Sequence, residues 1–438
     1  MFIKIDLSVL NNISNFTDEE LSCIENIALS MKERKHIVFS DYNILRKLVT
    51  TKNLSESSKR VFNSVLKRWS SISGLEKILN GKILVVYDEE RIKRVVFENQ
   101  IIYRVPLKYF NDTEKLLPLH IIGEDENDCN IYEDIAKRYI RDNNLGISIN
   151  TRRVHGGGNR TGINYERELT QYNKICLVIA DSDKEYESCN IGNTAKGIKD
   201  VYERNKETYI TDIHILKVRE KENLIPPNLY NMCSKSSNSK KDIKILEHIF
   251  NNDLLRKLYY YSDIKDGITY EGLLSNVDNR IILFKYLNEV IERHGYDSLI
   301  EMVKEYGLVE FYNYIMNTLE NYGVNSFDEV SCTLLEFNHT SNSEYEEYKI
   351  TNGIGYLVEK VRREIVCLEL KEVITLKEQI YLANTNEGLK KEIENLKEIL
   401  IKINRLFDIL PNNIKLEWET ISKKIITFGC CLNEFTAQ

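Results

Sequence analysis

Between residues 115 and 230 the sequence alternates short apolar runs with stretches of helical period, a pattern typical of a parallel α/β sheet. The apolar runs predict four strands, at 119–122, 147–154, 175–180 and 212–218. The segments between them predict helices, at 130–140, 164–173 and 194–205. Because crossover connections are right-handed, we expect the strands to be parallel, with their carboxyl ends along one edge.

The length of 438 residues exceeds that of one ordinary domain, and the sequence predicts three regions. These are a mixed α+β region of unknown role at 1–114, the α/β domain at 115–230, and a mainly helical domain at 242–438. Apolar residues at four-three spacing predict a helix over 389–410. That helix either faces the core of a helical bundle or forms the seam of a homo-oligomer through the C-terminal helices.

Composition limits the classes of protein to which the chain can belong. No run of about 18 apolar residues occurs, and Lys4 and Asp6 interrupt the apolar N-terminus, so we expect a cytoplasmic protein without a membrane segment. The nine cysteines form no Cys-x-x-Cys pair, which argues against a zinc site. The net charge is −7, yet residues 137–167 hold seven basic residues against two acidic ones. This segment is either a solvated surface or a contact for nucleic-acid phosphates.

Acidic residues follow three of the predicted strands, at the edge where ligands of open α/β sheets bind. Glu124 and Asp128 follow the first strand, Asp181 and Asp183 the third, and Glu222 the fourth. Carboxylates gathered at one edge repel each other unless a cation neutralises them, and Mg²⁺ prefers such ligands. An Asp-x-Asp pair after a strand is as often a helix cap or an Asx-turn. The pattern therefore leaves a metal site and a cap or turn as alternatives.

In their order and spacing these motifs resemble the Toprim domain of OLD-family nucleases, which act in bacterial anti-phage defence. The segments that carry the resemblance are HIIGEDEND, HGGGNRTG, IADSD and KENLIP, within residues 115–230. The resemblance implies a Rossmann-like α/β Toprim fold that holds two Mg²⁺ or Mn²⁺ ions. The residues that it implies for catalysis are Glu124, Asp128, Asp181, Asp183, Glu222 and Lys196, all but the lysine being metal ligands.

The glycine cluster after the second strand is expected to let phosphate approach the backbone. An oxyanion hole of an acyl hydrolase is disfavoured because the chain has no Gly-x-Ser-x-Gly elbow. A dinucleotide site is disfavoured because Thr161 stands where that motif needs glycine. His155 beside the cluster is an acid/base candidate or an ordinary loop residue. The predicted substrate-binding residues are Arg152, Arg153, Gly156, Gly157, Gly158 and Arg160.

The resemblance implies a metal-dependent endonuclease, a hydrolase that cleaves phosphodiester bonds of DNA or RNA. The chain has no Gly-x-x-x-x-Gly-Lys-Ser/Thr loop, so we expect any ATPase or other defence-system subunit to be a separate partner. The alternative is a catalytically inactive Toprim-like subunit that binds nucleic acid or an ATPase. A metal-dependent nuclease assay separates the two.

Overall fold

The computed structural model describes residues 1–98, 100–269, 351–358, 368–383, 387–408 and 410–432, and six further positions between 272 and 289. Contacts divide the chain into two compact units. Unit 1 comprises Met1–Ala180, Asn193–Ile215 and Lys415–Gln438, and unit 2 comprises Asp181–Gly192 and Leu216–Ile414. The domains expected from the sequence follow chain order, whereas these units interleave along the chain.

A five-stranded sheet forms the N-terminal part of unit 1, in the order β2-β1-β3-β5-β4. Its strands are β1 (Phe2–Ile5), β2 (Ile37–Ser40), β3 (Gly81–Val86), β4 (Lys93–Phe97) and β5 (Gln100–Pro106). β1 is parallel to β2 and β3, and β3 is parallel to β5. β4 runs antiparallel to β5 and forms one edge of the sheet.

Five helices accompany this sheet in the chain. They are α1 (Leu7–Asn12), α2 (Asp18–Lys32), α3 (Tyr42–Thr50), α4 (Glu56–Lys67) and α5 (Trp69–Ile78). α2 begins at a capping box, in which the Glu20 amide donates to Thr17 Oγ1 at 3.3 Å and the Thr17 amide donates to Glu20 Oε2 at 2.9 Å. This box supplies partners to two amides that a helix start would otherwise leave unpaired.

A second sheet of unit 1 has four strands in the order β10-β9-β6-β8. These are β6 (Leu119–Gly123), β8 (Thr151–His155), β9 (Cys176–Ala180) and β10 (Thr211–Ile215). Every pairing in this sheet is parallel. The predicted parallel α/β sheet is therefore confirmed.

Helices pack against both faces of this sheet because successive strand residues point to opposite sides. On the face of Ile121, α6 (Glu126–Asp142) inserts Cys129, whose thiol donates to the Ile121 carbonyl at 3.5 Å. On the face of Ile122 lie α7 (Thr161–Thr170) and α8 (Asn193–Asn205). The buried core on that side consists of Ile122, Tyr165, Leu169, Cys176, Val178, Ala180, Ile198 and Val201.

The end of the chain returns to unit 1 through α14 (Asn412–Gly429) and β11 (Cys430–Leu432). β11 pairs antiparallel with β7 (Ile147–Ile149). The strand predicted over 147–154 is therefore two strands, since β7 pairs with β11 while β8 pairs with β6.

Two polar side-chain pairs connect α14 to the edge strand β10. Glu417 Oε1 lies 2.9 Å from His214 Nε2, and both side chains are buried. Lys424 Nζ donates to Asp212 Oδ2 at 2.6 Å. Because a charged group is costly to bury without its partner, these pairs fix the position of α14 along β10.

The described elements of unit 2 are mainly helical. They are α9 (Pro227–Cys233), α10 (Ser237–Asn251), α11 (Arg256–Tyr261), α12 (Leu368–Ala383) and α13 (Glu387–Asp408). Ion pairs join α12 and α13, with Lys377 Nζ 2.8 Å from Glu392 Oε1. None of the helices in the described ranges has the length and apolar character needed to cross a membrane.

Candidate active site

Glu124 and Asp128 belong to unit 1, where Glu124 is the first residue after β6. Asp125 caps α6, and its Oδ1 accepts from the Asn127 amide at 2.8 Å. Asp128 points back toward the helix start, as side chains of a first turn do. Its Oδ2 accepts from the Asp125 amide at 2.8 Å. One oxygen of Asp128 therefore serves the capping box.

The glycine loop after β8 lies directly against the end of β6. The Gly156 amide donates to the Gly123 carbonyl at 2.9 Å, and the amides of Gly157 and Gly158 donate to the Glu124 carbonyl at 3.0 and 3.2 Å. These three amides are thus engaged within the protein, contrary to the expectation that the loop presents its backbone to phosphate. The loop instead fixes the backbone of Glu124.

The predicted phosphate-binding arginines differ in their surroundings. Arg153 donates from Nη2 to Glu133 Oε2 at 2.7 Å, and Glu133 is only 3% exposed. Arg152 and Arg160 are exposed, and so is Lys196 in the first turns of α8. Arg153 therefore compensates a buried carboxylate, while Arg152, Arg160 and Lys196 remain the candidates for contact with phosphate.

Asp181 and Asp183 belong to unit 2 and follow β9. Asp181 Oδ1 accepts from the Lys221 amide at 3.1 Å. The amides of Ser182 and Asp183 both donate to the Arg219 carbonyl, at 2.9 and 3.0 Å. This turn gives Asp183 a φ of 53°, in the left-handed region. The chain does not stay extended through Asp-x-Asp, so the condition under which the two acids would share one face is not met.

Glu222 lies in a short 3₁₀ turn, Lys221–Leu224, of unit 2 and is 2% exposed. Its Oε1 lies 3.2 Å from Lys221 Nζ. Its Oε2 is buried without a hydrogen-bond partner among the described residues. An oxygen in this situation is costly unless a cation or water satisfies it.

Glu220 is a neighbour of Glu222 that sequence reasoning missed. Its Oε1 accepts from the amides of Ile264 and Lys265, each at 3.1 Å. Burial raises the pKa of Glu220 to about 7, and the charges of Glu222 and Asp263 act in the same direction. Two glutamates two residues apart were visible in the sequence, but the burial of Glu220 depends on residues more than forty positions away. Burial and neighbouring acids therefore disfavour the charged form of Glu220.

No model of a protein family, no curated protein and no solved structure matches this chain. The parallel sheet is shown by the structure itself. The resemblance to the Toprim domain rests on the sequence motifs alone.

These residues have the donor chemistry that a divalent cation needs, but not the arrangement. The donors are carboxylates, which hard cations prefer, and Glu222 offers a buried oxygen that lacks a hydrogen bond. Within the described part of the chain, however, no three His, Cys, Asp or Glu side chains form a group that could hold a metal ion. The chemistry of the donors fits Mg²⁺ or Mn²⁺, and their arrangement as described does not supply a complete coordination shell.

Proposed function

We propose that this chain is a metal-dependent Toprim endonuclease that cleaves phosphodiester bonds of DNA or RNA in bacterial anti-phage defence. The observation that carries the proposal is the order of strands. β6 and β9 are parallel neighbours, with Ile122 opposite Val178. An acidic residue is the first residue beyond each strand, Glu124 after β6 and Asp181 after β9. Ligands of open α/β sheets bind at such carboxyl ends.

In unit 1 the candidate metal ligands are Glu124 and Asp128, and in unit 2 they are Asp181, Glu222 and Asp183. A bound divalent ion activates water and stabilises the leaving oxygen in phosphodiester cleavage. The glycine loop fixes the Glu124 backbone, and the Lys221 amide orients Asp181. The exposed Arg152, Arg160 and Lys196 supply positive charge for the nucleic acid.

A second candidate function is a non-cleaving subunit that binds nucleic acid or a separate ATPase. Two observations favour it. Asp183 is exposed and lies in a left-handed turn, and one oxygen of Asp128 serves a helix cap. In this function the first and third motifs would each supply one fewer carboxylate to a metal.

The experiment that separates the two functions uses the full chain with plasmid DNA, single-stranded DNA and tRNA. Each is incubated with Mg²⁺, with Mn²⁺ and with chelator, while calorimetry measures binding of the metal alone. The nuclease proposal expects cleavage that chelator abolishes, together with measurable metal binding. Nucleic-acid binding without cleavage in either metal, and without metal binding, would establish the non-cleaving subunit instead.

A further inference from the structure

Lys221 contacts two of the candidate metal ligands, Asp181 and Glu222, and all three residues belong to unit 2. The Lys221 amide donates to Asp181 Oδ1 at 3.1 Å, and Lys221 Nζ lies 3.2 Å from Glu222 Oε1. The first contact belongs to the main chain and the second to the side chain. Lys221 therefore holds Asp181 through its backbone and meets the charge of Glu222 with its ammonium group.

The carboxylate of Glu222 is buried and incompletely satisfied. Glu222 is 2% exposed, and its Oε2 has no hydrogen-bond partner among the described residues. Since burial penalises the charged form of a carboxylate, a nearby cation is needed to hold it charged. The side chain of Lys221 is 17% exposed, so its ammonium group is largely withdrawn from water as well. Salt therefore screens this pair less than it screens a pair on the surface.

The neighbouring acids of unit 2 are directed to donors within the protein. Glu220 Oε1 accepts from two amides, and Asp181 Oδ1 accepts from the Lys221 amide. In the part of the chain that the structure describes, no three His, Cys, Asp or Glu side chains form a group that could hold a metal ion. The cation described beside Glu222 is thus the chain's own ammonium group.

We propose that Lys221 is a positioning residue whose ammonium group stands at Glu222 in place of a divalent cation, so that a metal must displace it in order to bind. This inference rests on the proposed function, which assigns Glu222 as a metal ligand. Two cations beside one carboxylate repel each other, so the lysine lowers the affinity of Glu222 for Mg²⁺ or Mn²⁺. The carboxylates of unit 2 are accordingly arranged around internal donors until a metal enters.

The test compares Lys221→Met with the parent full chain in two measurements. Methionine keeps an unbranched side chain and the amide that contacts Asp181, but it removes the charge. Calorimetric titration with Mn²⁺ should give a dissociation constant lower by about tenfold or more, because the competing cation is gone. Without metal the variant should melt at a lower temperature, because the buried Glu222 has lost its counter-ion. A merely structural role of Lys221 would lower the melting temperature without raising the affinity for Mn²⁺.

A double variant decides the matter if Lys221→Met folds poorly. In Lys221→Met with Glu222→Gln the neutral amide needs no counter-ion, so the melting temperature should recover and the gain in Mn²⁺ affinity should disappear. Lys217→Met is the matched control, since Lys217 is an exposed lysine four positions earlier in the chain. This control should change neither quantity.

An unchanged dissociation constant in Lys221→Met, or no Mn²⁺ binding in either protein, would overturn the proposal. So would a double variant that stays as unstable as Lys221→Met, or a control that reproduces both effects. Neither measurement uses nucleic acid. A parent protein that binds Mn²⁺ but cleaves no substrate would therefore reject the proposed function and leave the result for Lys221 as it is.

Discussion

The amide of Gly157 donates to the carbonyl of Glu124 at 3.0 Å, so the loop after β8 is fixed to the residue that follows β6. Gly156 makes the closest approach in this contact. A Cβ atom there would lie 2.3 Å from the Gly123 oxygen and 2.5 Å from Thr161 Oγ1. The glycine at this position is therefore required by the packing of the loop against the strand end.

The first prediction concerns this contact. Gly156→Ala should lower the free energy of unfolding by about 1–3 kcal/mol, because the added methyl group forces backbone atoms apart. Gly74→Ala is the control, since Gly74 lies in α5 with nothing near its Cβ position. That change should raise the free energy of unfolding by about 0.5–1 kcal/mol, as alanine favours helix. Chemical denaturation measures both, and equal effects would contradict the close contact at Gly156.

The second prediction separates two adjacent arginines. Arg153→Ala should lower the free energy of unfolding by about 1–3 kcal/mol, because the buried Glu133 loses a charged hydrogen-bond donor. Arg152→Ala should change it by less than about 0.5 kcal/mol, because Arg152 is exposed.

Although Arg152→Ala should leave stability nearly unchanged, it should affect the binding of nucleic acid. Under the proposed function, Arg152→Ala should weaken binding and reduce the slope of affinity against salt, since fewer counterions are released. A salt titration of binding checks this. An unchanged slope would assign Arg152 to the solvated surface.

The third prediction compares the two acids after β9. Asp181→Asn should reduce metal-dependent cleavage by orders of magnitude, because it removes the charge of a proposed ligand. The amide oxygen of Asn can still accept from the Lys221 amide, so the melting temperature should hold. Asp183→Asn should have a smaller effect on cleavage, since Asp183 is exposed and Asn tolerates its left-handed backbone. Nuclease rates and thermal melts provide the comparison, and full activity of Asp181→Asn would reject its role as a ligand.

The fourth prediction is a pH dependence of stability. Burial lowers the pKa of His120 below its ordinary 6.5, although the adjacent Glu168 acts in the opposite direction. Below pH 6.5 the unfolded chain therefore binds more protons at this residue than the folded protein does, and stability falls as the pH falls. His120→Gln should flatten this loss, because glutamine does not titrate in this pH range. Urea unfolding at several pH values measures it, and an equal slope in parent and His120→Gln would refute the assignment.

Sequence patterns located the central sheet because its determinants are local. The apolar run over 175–180 became β9, Cys176–Ala180, and the run over 119–122 became β6, Leu119–Gly123. A strand buried on both faces needs a continuous apolar run, and that signal is readable without knowledge of the partner strands. The break between β7 and β8 was not readable, since it depends on pairing with β11 near the end of the chain.

The candidate site was predictable as a set of acidic residues after strands, but not in its geometry. The turn at Asp183 forms because the amides of Ser182 and Asp183 both donate to the carbonyl of Arg219, a residue distant in the chain. The sequence prediction placed Arg153 among the phosphate-binding residues because the local sequence does not show its partner. That partner, Glu133, lies on a different element, twenty positions away in the chain. In both cases the local sequence is consistent with more than one role for the residue, and a tertiary contact decides between them.

The pairing of β7 with β11 has a consequence for how the protein is made. Ser148 Oγ and Cys431 Sγ lie 3.1 Å apart, although the two residues are 283 positions apart in the chain. At about 5–20 residues per second, a ribosome needs on the order of 10–60 s to deliver the missing strand after β7 has emerged. During that interval the edge of β7 and the polar groups of β10 that later meet α14 are uncovered. Nascent chains should therefore depend on chaperones, and premature termination before α14 should yield a product that aggregates.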